Sequence, residues 1–345
     1  MGTATDDLLL PDDAMLLHIG PQKTGSTALQ AATRSQRTAM RRHGVTALGL
    51  SRPERLALFT ALMHPDSGQP RHREDLAVWA RVVEQAAHET GRTFLTHESL
   101  GKADGDGASR MVAALGGPRV HVLAVARRLD RLLPSQWQQR VKSGATTLSY
   151  EQWLEVVLGD HPDDPVWRNI WVPHDLERLV ARWTEAAAPE RFHLVVADES
   201  DRRMLSRVVE QLLGLPDGML EPDESHRTNA SLSYDRLELL RVFGQLVDKR
   251  EWPDGDPERS AAWSRACRRA VKLAEAAPGE RRVPSLPPWA LERVTQMSQE
   301  RAEFVRSLEV RVVGDADNLL VPDEAGSGTP TPADVVPTEL AARVL

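Results

Sequence analysis

The segment MLLHIGPQKTGSTALQ, residues 15–30, decides the fold of this chain. It begins with an apolar run, Met15 to Ile19, which predicts a short buried strand. Glycines at positions 20 and 25 and a proline at 21 then mark a loop, after which residues 27–30 open a helical pattern. A strand, a glycine-containing loop and a helix N-terminus in this order form a cradle for phosphate, because the loop amides and the helix dipole both favour an anion.

The lysine of this loop does not occupy the sequence position that a lysine has in a triphosphate-binding loop. The spacing of Gly20 and Gly25 matches the Walker A loop, which continues with Lys and then Ser or Thr. Here Ser26 and Thr27 occupy those two positions, and the lysine stands earlier, at Lys23. Most basic residues of this chain are arginines, so a lysine in a glycine loop is conspicuous. A compact ammonium suits a single phosphate oxygen better than a guanidinium does.

The composition describes an ordinary globular protein. The chain has 345 residues, of which 41% are hydrophobic and 27% charged, enough for one large domain or two. A net charge of −7 argues against a dedicated nucleic-acid binder, which is usually basic. A single cysteine, Cys267, excludes an intramolecular disulfide and a cysteine-cluster metal site. We see neither a signal peptide nor an apolar run of membrane-spanning length, and therefore expect a cytoplasmic protein.

Strands and helices alternate along the first two thirds of the chain. The patterns predict five strands, at residues 15–19, 45–48, 93–98, 119–125 and 192–197. This order favours a three-layer α/β/α fold with a central, mostly parallel five-stranded sheet. The later residues read as all helical, including a long helix over 288–312, and form a helical C-terminal extension. We expect an α/β core at 14–230, a helical part at 231–320, and flexible tails at 1–13 and 322–345.

Ligands of such a sheet bind at the carboxyl ends of the strands, and polar residues follow several of them. His97 and Glu98 end the third predicted strand, Arg127 follows the fourth and Glu199 the fifth. Neighbouring residues of a strand point to opposite faces, so we expect only one of His97 and Glu98 to face the site. For Glu199 we expect a structural ion pair or a role at a helix start.

Two motifs resemble those of bacterial sulfotransferases that use 3′-phosphoadenylyl sulfate (PAPS). Residues 18–30, HIGPQKTGSTALQ, resemble the 5′-phosphosulfate loop of that family. The family's second signature is an arginine at the end of a strand and a serine eight residues later, and Arg127 and Ser135 have this spacing. Leu129 replaces a proline that the family often has, a mild departure because that proline shapes a turn. The resemblance covers roughly residues 14–235 and implies a P-loop, nucleotide-kinase-like sheet.

The resemblance implies roles for individual residues. The 5′-phosphosulfate end of the donor would be bound by the loop residues, namely Gly20, Gln22, Lys23, Thr24, Gly25, Ser26 and Thr27. Arg127 and Ser135 would clasp the 3′-phosphate. Apart from the resemblance, Arg227 lies in a basic loop just before a predicted helix, where we expect it to close over the nucleotide. Lys23 would also act in catalysis, by stabilising charge on the bridging oxygen as the sulfuryl group departs. The leaving group is a stable phosphate anion, so no metal is required.

Transfer to a hydroxyl or amine also needs a base, for which Glu98 and His97 are the candidates and Glu98 is preferred. A glutamate would need some burial to raise its pKa toward working pH. Two alternatives stay open, a P-loop small-molecule kinase and a non-catalytic nucleotide-binding member of the fold. The acceptor, a small molecule or a carbohydrate, is not identified by the sequence, and neither is the oligomeric state. We expect the insertions at 50–72 and 159–173 to shape the acceptor pocket.

Overall fold

A computed structural model of the protein describes residues 8–221, 232–249 and 285–325. The chain divides into two compact units, each built from three separate segments. The first unit comprises 1–128, 171–226 and 299–320, and the second comprises 129–170, 227–298 and 321–345. These units mix the expected core with the expected C-terminal part, and the domain limits proposed from the sequence stay a prediction.

The first unit contains a parallel sheet of six strands. In chain order the strands are β1 (Met15–Gly20), β2 (Val45–Leu48), β3 (Arg92–Thr96), β4 (Val120–Ala126), β5 (Phe192–Val196) and β6 (Arg311–Val313). Their spatial order is β2-β3-β1-β4-β5-β6, and every adjacent pair is parallel. The predicted α/β fold class is thus confirmed, with one strand more than expected.

Helices connect the strands and account for most of the remaining described residues. In chain order they are α1 (Ser26–Arg42), α2 (Arg52–Met63), α3 (Pro70–His88), α4 (Gly105–Ala114), α5 (Leu129–Ser143), α6 (Tyr150–Leu158), α7 (Pro165–His174), α8 (Leu176–Ala187), α9 (Met204–Leu213), α10 (Tyr234–Lys249) and α11 (Pro288–Ser307). None of these described helices combines the length and the hydropathy that a membrane span needs.

Both faces of the sheet are covered, which gives three layers. Met15 and Leu17 of β1 enter one apolar cluster, together with residues of α2, α4 and α8. Leu16 enters the opposite cluster, where it meets α1 and α9 through residues such as Leu29 and Val209. A parallel sheet buried on both faces needs strands that are apolar throughout, and all six residues of β1 are buried.

Two expectations about the elements were wrong. The segment expected to be a loop at 159–173 contains helix α7, and the Asp164 carboxylate accepts a backbone amide at its start. The helix was not predicted because its two prolines resemble turn signals. The long helix expected over 288–312 ends at Ser307, and residues 311–313 pair with β5 instead. Leu10, within the expected flexible tail at 1–13, is buried, and its amide donates to the Leu212 carbonyl at 3.0 Å; the tail itself stays a prediction. The expected tail beyond 325 lies outside the described residues.

The second unit has an aromatic centre. The ring of Trp137 on α5 lies 5.1 Å from that of Tyr150 on α6 and 5.9 Å from that of Tyr234 on α10, measured between centroids. All three side chains are buried, so these helices share one apolar core.

The sheet has a topological switch point between β1 and β4. From β1 the chain crosses to β2 and β3 on one side, whereas from β4 it continues to β5 and β6 on the other side. Ligands of doubly wound sheets bind in the crevice that such a reversal opens at the carboxyl ends. The two segments that flank the crevice are the loop at 21–25 and the residues that follow Ala126.

Candidate active site

The loop between β1 and α1 is held in an unusual conformation. Gly20, Lys23 and Gly25 all have positive φ angles, of 82°, 70° and 97°. Glycine adopts this region freely, whereas for Lys23 it costs roughly 1 kcal/mol. The hydroxyl of Thr24 donates to the Pro21 carbonyl at 2.7 Å, which fixes the turn from within. A lysine held in a strained turn indicates a local requirement for that side chain.

Helix α1 begins without a side-chain cap. Its N-cap residue is Gly25, no side chain of the described chain caps the helix, and its first turn contains no acidic residue. The first amide N–H groups of a helix have no partners within the helix, and the dipole gives this end a partial positive charge. The start of α1 therefore fits an anion such as a phosphate group.

Glu98 lies directly against this loop. A Cβ atom on Gly20 would lie only 2.9 Å from the Cα atom of Glu98, so no larger residue fits at position 20. Strand β3 ends at Thr96, and His97 then caps a short 3₁₀ turn by accepting the Ser99 amide at 3.2 Å. The alternation of a strand does not apply to His97 and Glu98, because both lie beyond its end, and both line one cavity.

The Glu98 carboxylate is held by a small polar network. Gln30 donates to one Glu98 oxygen through its amide nitrogen. Arg55 donates to the amide oxygen of Gln30 at 2.7 Å and lies 3.8 Å from the other Glu98 oxygen. Burial raises the pKa of Glu98, but the hydrogen bonds from Gln30 and from its own backbone, with the charges of His97 and Arg55, bring it below its usual value. The upward shift that a catalytic glutamate was expected to need is absent, and Glu98 is ionised at neutral pH.

The neighbouring histidines are neutral at pH 7. Burial lowers the pKa of His97 to about 4, against the attraction of Glu98. The Nδ1 atom of His97 is already an acceptor for the Ser99 amide, and its ring also bonds to the backbone of Arg55. Burial likewise lowers the pKa of His18 to about 4, and its Nδ1 lies 2.8 Å from the Thr96 hydroxyl. Of these side chains, Glu98 is the one that carries a charge.

Arg127 connects the end of β4 to the loop. Its Nη1 donates to the backbone carbonyl of the strained Lys23 at 2.8 Å. Its Nε and Nη2 donate to the two carboxylate oxygens of Glu199 at 2.5 and 2.8 Å. The ion pair is one of the two roles predicted for Glu199. A guanidinium has five N–H donors, so these bonds leave two of them for a ligand.

Sequence reasoning missed three residues of this region: Gln30, Arg55 and Arg301. Arg301, on α11, donates to the carbonyl of His174 at 2.7 Å and to that of Arg127 at 3.3 Å. Burial lowers its pKa to about 10, so it stays charged at neutral pH. Arg301 lies 174 positions from Arg127, and no sequence signal could have linked them. Gln30 was visible only as a polar residue on a helix and gave no sign of its partner.

The remaining predicted residues are placed as follows. Ser135 belongs to the second unit and lies in the second turn of α5, because that helix begins at Leu129. Gln22 is half-buried, whereas Thr27 is exposed. Arg227 lies outside the described residues.

A cavity of about 580 Å³ opens beside Glu98. Its lining combines three arginines and three apolar side chains with the segment that follows β3: Arg34, Arg52, Arg55, Leu50, Leu56, Phe59 and residues 97–99. Pockets of this volume hold small-molecule ligands. Part of the lining comes from the insertion at 50–72.

These features follow the order of the strands along one edge of the sheet. The cavity lies at the ends of β2 and β3, Glu98 follows β3, the Lys23 loop follows β1 and Arg127 follows β4. The Lys23 loop and an arginine thus lie on one side of an ionised carboxylate, with a cavity on its other side. Among the described residues, no three or more His, Cys, Asp or Glu side chains are placed to hold a metal ion.

Comparison with known proteins gives little. The chain matches no protein-family model and no curated protein. Among solved structures it is similar to a sulfotransferase from Alicyclobacillus acidocaldarius, with 16% sequence identity and a TM-score of 0.41, over 72% of this chain and 98% of that one. At this identity and TM-score the similarity supports no functional conclusion, so function has to be argued from the site.

Proposed function

We propose that the protein is a PAPS-dependent sulfotransferase, which transfers a sulfuryl group to a hydroxyl or amine of a small-molecule or carbohydrate acceptor. One observation carries this proposal: the order of cavity, carboxylate, anion-binding loop and arginine along the carboxyl edge of the sheet. A donor with phosphate groups at both ends of its ribose needs two cationic sites on one side of the catalytic carboxylate. Its acceptor needs a cavity on the other side.

In this proposal the loop binds the 5′-phosphate end of the donor. The backbone amides of residues 24–27 and the uncapped start of α1 hold the phosphate oxygens. Lys23 stabilises the negative charge that grows on the oxygen between phosphorus and sulfur. Arg127 supports this role through its bond to the Lys23 carbonyl, which keeps the strained residue in place.

The 3′-phosphate is assigned to Arg127. Two of its N–H groups remain for the ligand, while Glu199 orients the guanidinium and also neutralises part of its charge. Ser135 joins this part of the proposal through the motif resemblance alone, and Arg227 through its position in a basic loop before a predicted helix.

The chemical step is an in-line displacement at the sulfur atom of the donor. The acceptor oxygen forms a bond to sulfur, the bond between sulfur and the 5′-phosphate oxygen breaks, and Glu98 takes the acceptor's proton. Glu98 is ionised at neutral pH and can accept that proton. Because its pKa is low, the transfer becomes favourable late, once bonding to sulfur has made the acceptor proton acidic.

Labelled PAPS incubated with a panel of hydroxyl and amine acceptors tests this proposal. We expect label in at least one acceptor, and a loss of at least about a hundredfold in rate for Lys23→Ala, as for other removed transition-state contacts. Arg131→Ala, which removes an exposed arginine on α5, is the control and should keep wild-type activity. Transfer of the γ-phosphate from Mg-ATP, with none from PAPS, would favour the kinase alternative.

A further inference from the structure

The cavity beside Glu98 has one cationic and one apolar wall. Arg34 comes from α1, and Arg52 and Arg55 come from the first turns of α2. The apolar wall includes Leu56 and Phe59, which are 40% and 38% exposed although both are large and hydrophobic. Apolar side chains that remain exposed inside a concave site mark a surface that a ligand covers.

The positive charge of this cavity is only partly balanced. Arg55 lies beside Glu98 and bonds to Gln30, so its charge is largely compensated. The side chains of Arg34 and Arg52 form no hydrogen bond or ion pair with another residue in the described parts of the chain. His97 is neutral at pH 7 and adds no charge. Two arginines of the lining therefore have no acidic partner among the described residues.

The acidic residue of α2 does not compensate the charge of Arg34 and Arg52. Glu54 lies outside the cavity lining, and its carboxylate accepts the Ser51 amide at 2.8 Å to close the capping box of the helix. The N-terminus of α2 adds a partial positive charge of its own close to Arg52. The site thus attracts an oxyanion, which guanidinium groups bind with paired hydrogen bonds.

We infer that the acceptor is an anionic amphipathic molecule, with an oxyanion group such as a carboxylate or sulfate on an apolar body that also bears the reacting hydroxyl or amine. The inference rests on the proposed function, since it treats the cavity beside Glu98 as the acceptor site. The oxyanion binds at Arg34 and Arg52, the apolar body lies on Leu56 and Phe59, and the nucleophile is left for Glu98. Neutral sugars, which lack both the charge and the apolar body, are poor ligands for this cavity.

A pair of probes that differ only in charge tests the inference. We would titrate the full-length protein, without nucleotide, with 6-hydroxy-2-naphthoate and with its methyl ester. The wild-type protein should bind the acid at least about tenfold more tightly, as expected for charge-assisted hydrogen bonds. The double variant Arg34→Gln/Arg52→Gln should reduce this preference to below about threefold. Arg37→Gln, an exposed arginine of α1 outside the lining, should keep the wild-type preference.

The outcomes separate this inference from the proposed function. Equal binding of acid and ester, a preference that survives in the double variant, or no binding of either probe would overturn the inference. A parallel titration with 3′-phosphoadenosine 5′-phosphate (PAP), the product left by the donor, reports on the donor site alone. PAP binding without an acid preference would refute the acceptor class and leave the sulfotransferase proposal standing. An acid preference without PAP binding would support the ligand class and refute the donor.

Discussion

The ionisation of Glu98 is decided by its neighbours more than by its burial. Burial alone would raise its pKa, yet the amide of Gln30, its own backbone amide and nearby positive charge favour the carboxylate. His97 lies beside it with a pKa lowered to about 4, and its ring bonds to the Ser99 amide through Nδ1 and to the backbone of Arg55. Sequence reasoning could not separate these two adjacent side chains, but they differ in the structure. Glu98 is negatively charged and can accept a proton, whereas His97 caps the 3₁₀ turn.

A pair of substitutions distinguishes these two residues. Glu98→Gln should lower the transfer rate by about 10²–10⁴, the usual contribution of a positioned general base. It should leave PAP affinity nearly unchanged, since the carboxylate does not hold the nucleotide in this account. His97→Gln should cost less than about tenfold, through disturbance of the turn alone. Steady-state rates and PAP titrations measure both effects, and a larger loss for His97→Gln would assign the base to the histidine.

At the scale of elements, the close contact between the loop and the turn after β3 is possible because Gly20 has no side chain. Gly20→Ala adds a Cβ atom against the backbone of Glu98 at a residue with a φ of +82°. Gly44→Ala is a matched control, because Gly44 has a φ of +75° but nothing within 4 Å of the added atom. Both should lose roughly 1 kcal/mol to backbone strain, and Gly20→Ala should lose about 1–3 kcal/mol more through overlap.

Urea denaturation of the two variants gives the comparison. The free energy of unfolding should fall more for Gly20→Ala, and its transfer activity should fall as well, because Glu98 is displaced. Equal losses of stability would show that the loop and the turn are not in tight contact.

The ion pair between the segments that follow β4 and β5 should oppose nucleotide binding. Glu199 occupies two donors of Arg127 and competes there with a 3′-phosphate. We expect Glu199→Gln to raise PAP affinity severalfold, since a neutral amide competes less for the guanidinium. Glu190→Gln, which removes an exposed acid just before β5, is the control. Weaker PAP binding by Glu199→Gln would instead show that the carboxylate mainly positions Arg127.

The elements differ in how far the sequence predicts them. The limits of the strands were predicted closely; β2, for example, has the expected limits. Helix α7 and strand β6 were missed, the first because Pro165 and Pro173 resemble turn signals and the second because three residues carry no periodicity. The loop residues and Glu98 were proposed from the motif and from the end of a predicted strand. Gln30 and Arg55 reach Glu98 only through tertiary packing, which the sequence does not reveal.

At the scale of the whole molecule, buried neutral histidines make stability depend on pH. Burial lowers the pKa of His18 to about 4 and that of His193 to about 3, against about 6.5 in the unfolded chain. Between these pH values the unfolded state binds more protons than the folded state. The free energy of unfolding therefore has its full value above about pH 6.5 and falls as the pH drops toward 4. Each histidine contributes at most roughly 3 kcal/mol to this loss.

Urea denaturation between pH 7 and pH 5 measures this dependence. His18→Asn should reduce the slope of stability against pH by about one proton, or roughly 1.4 kcal/mol per pH unit. His43→Asn changes an exposed histidine and should retain the wild-type slope. A stability that stays constant from pH 7 to pH 5 would contradict the burial of His18 and His193.

The central claim is that the edge of the sheet binds a nucleotide phosphorylated at both ends of its ribose. Calorimetric titration of the wild-type protein and of Lys23→Ala and Arg127→Ala with PAP, 5′-AMP and Mg-ATP tests it most directly. We predict that PAP binds at least about tenfold more tightly than 5′-AMP, as one lost charge-assisted contact implies, and more tightly than Mg-ATP. Arg127→Ala should abolish the preference over 5′-AMP, and Lys23→Ala should weaken both. Tighter binding of Mg-ATP, or no binding of PAP, would contradict the account.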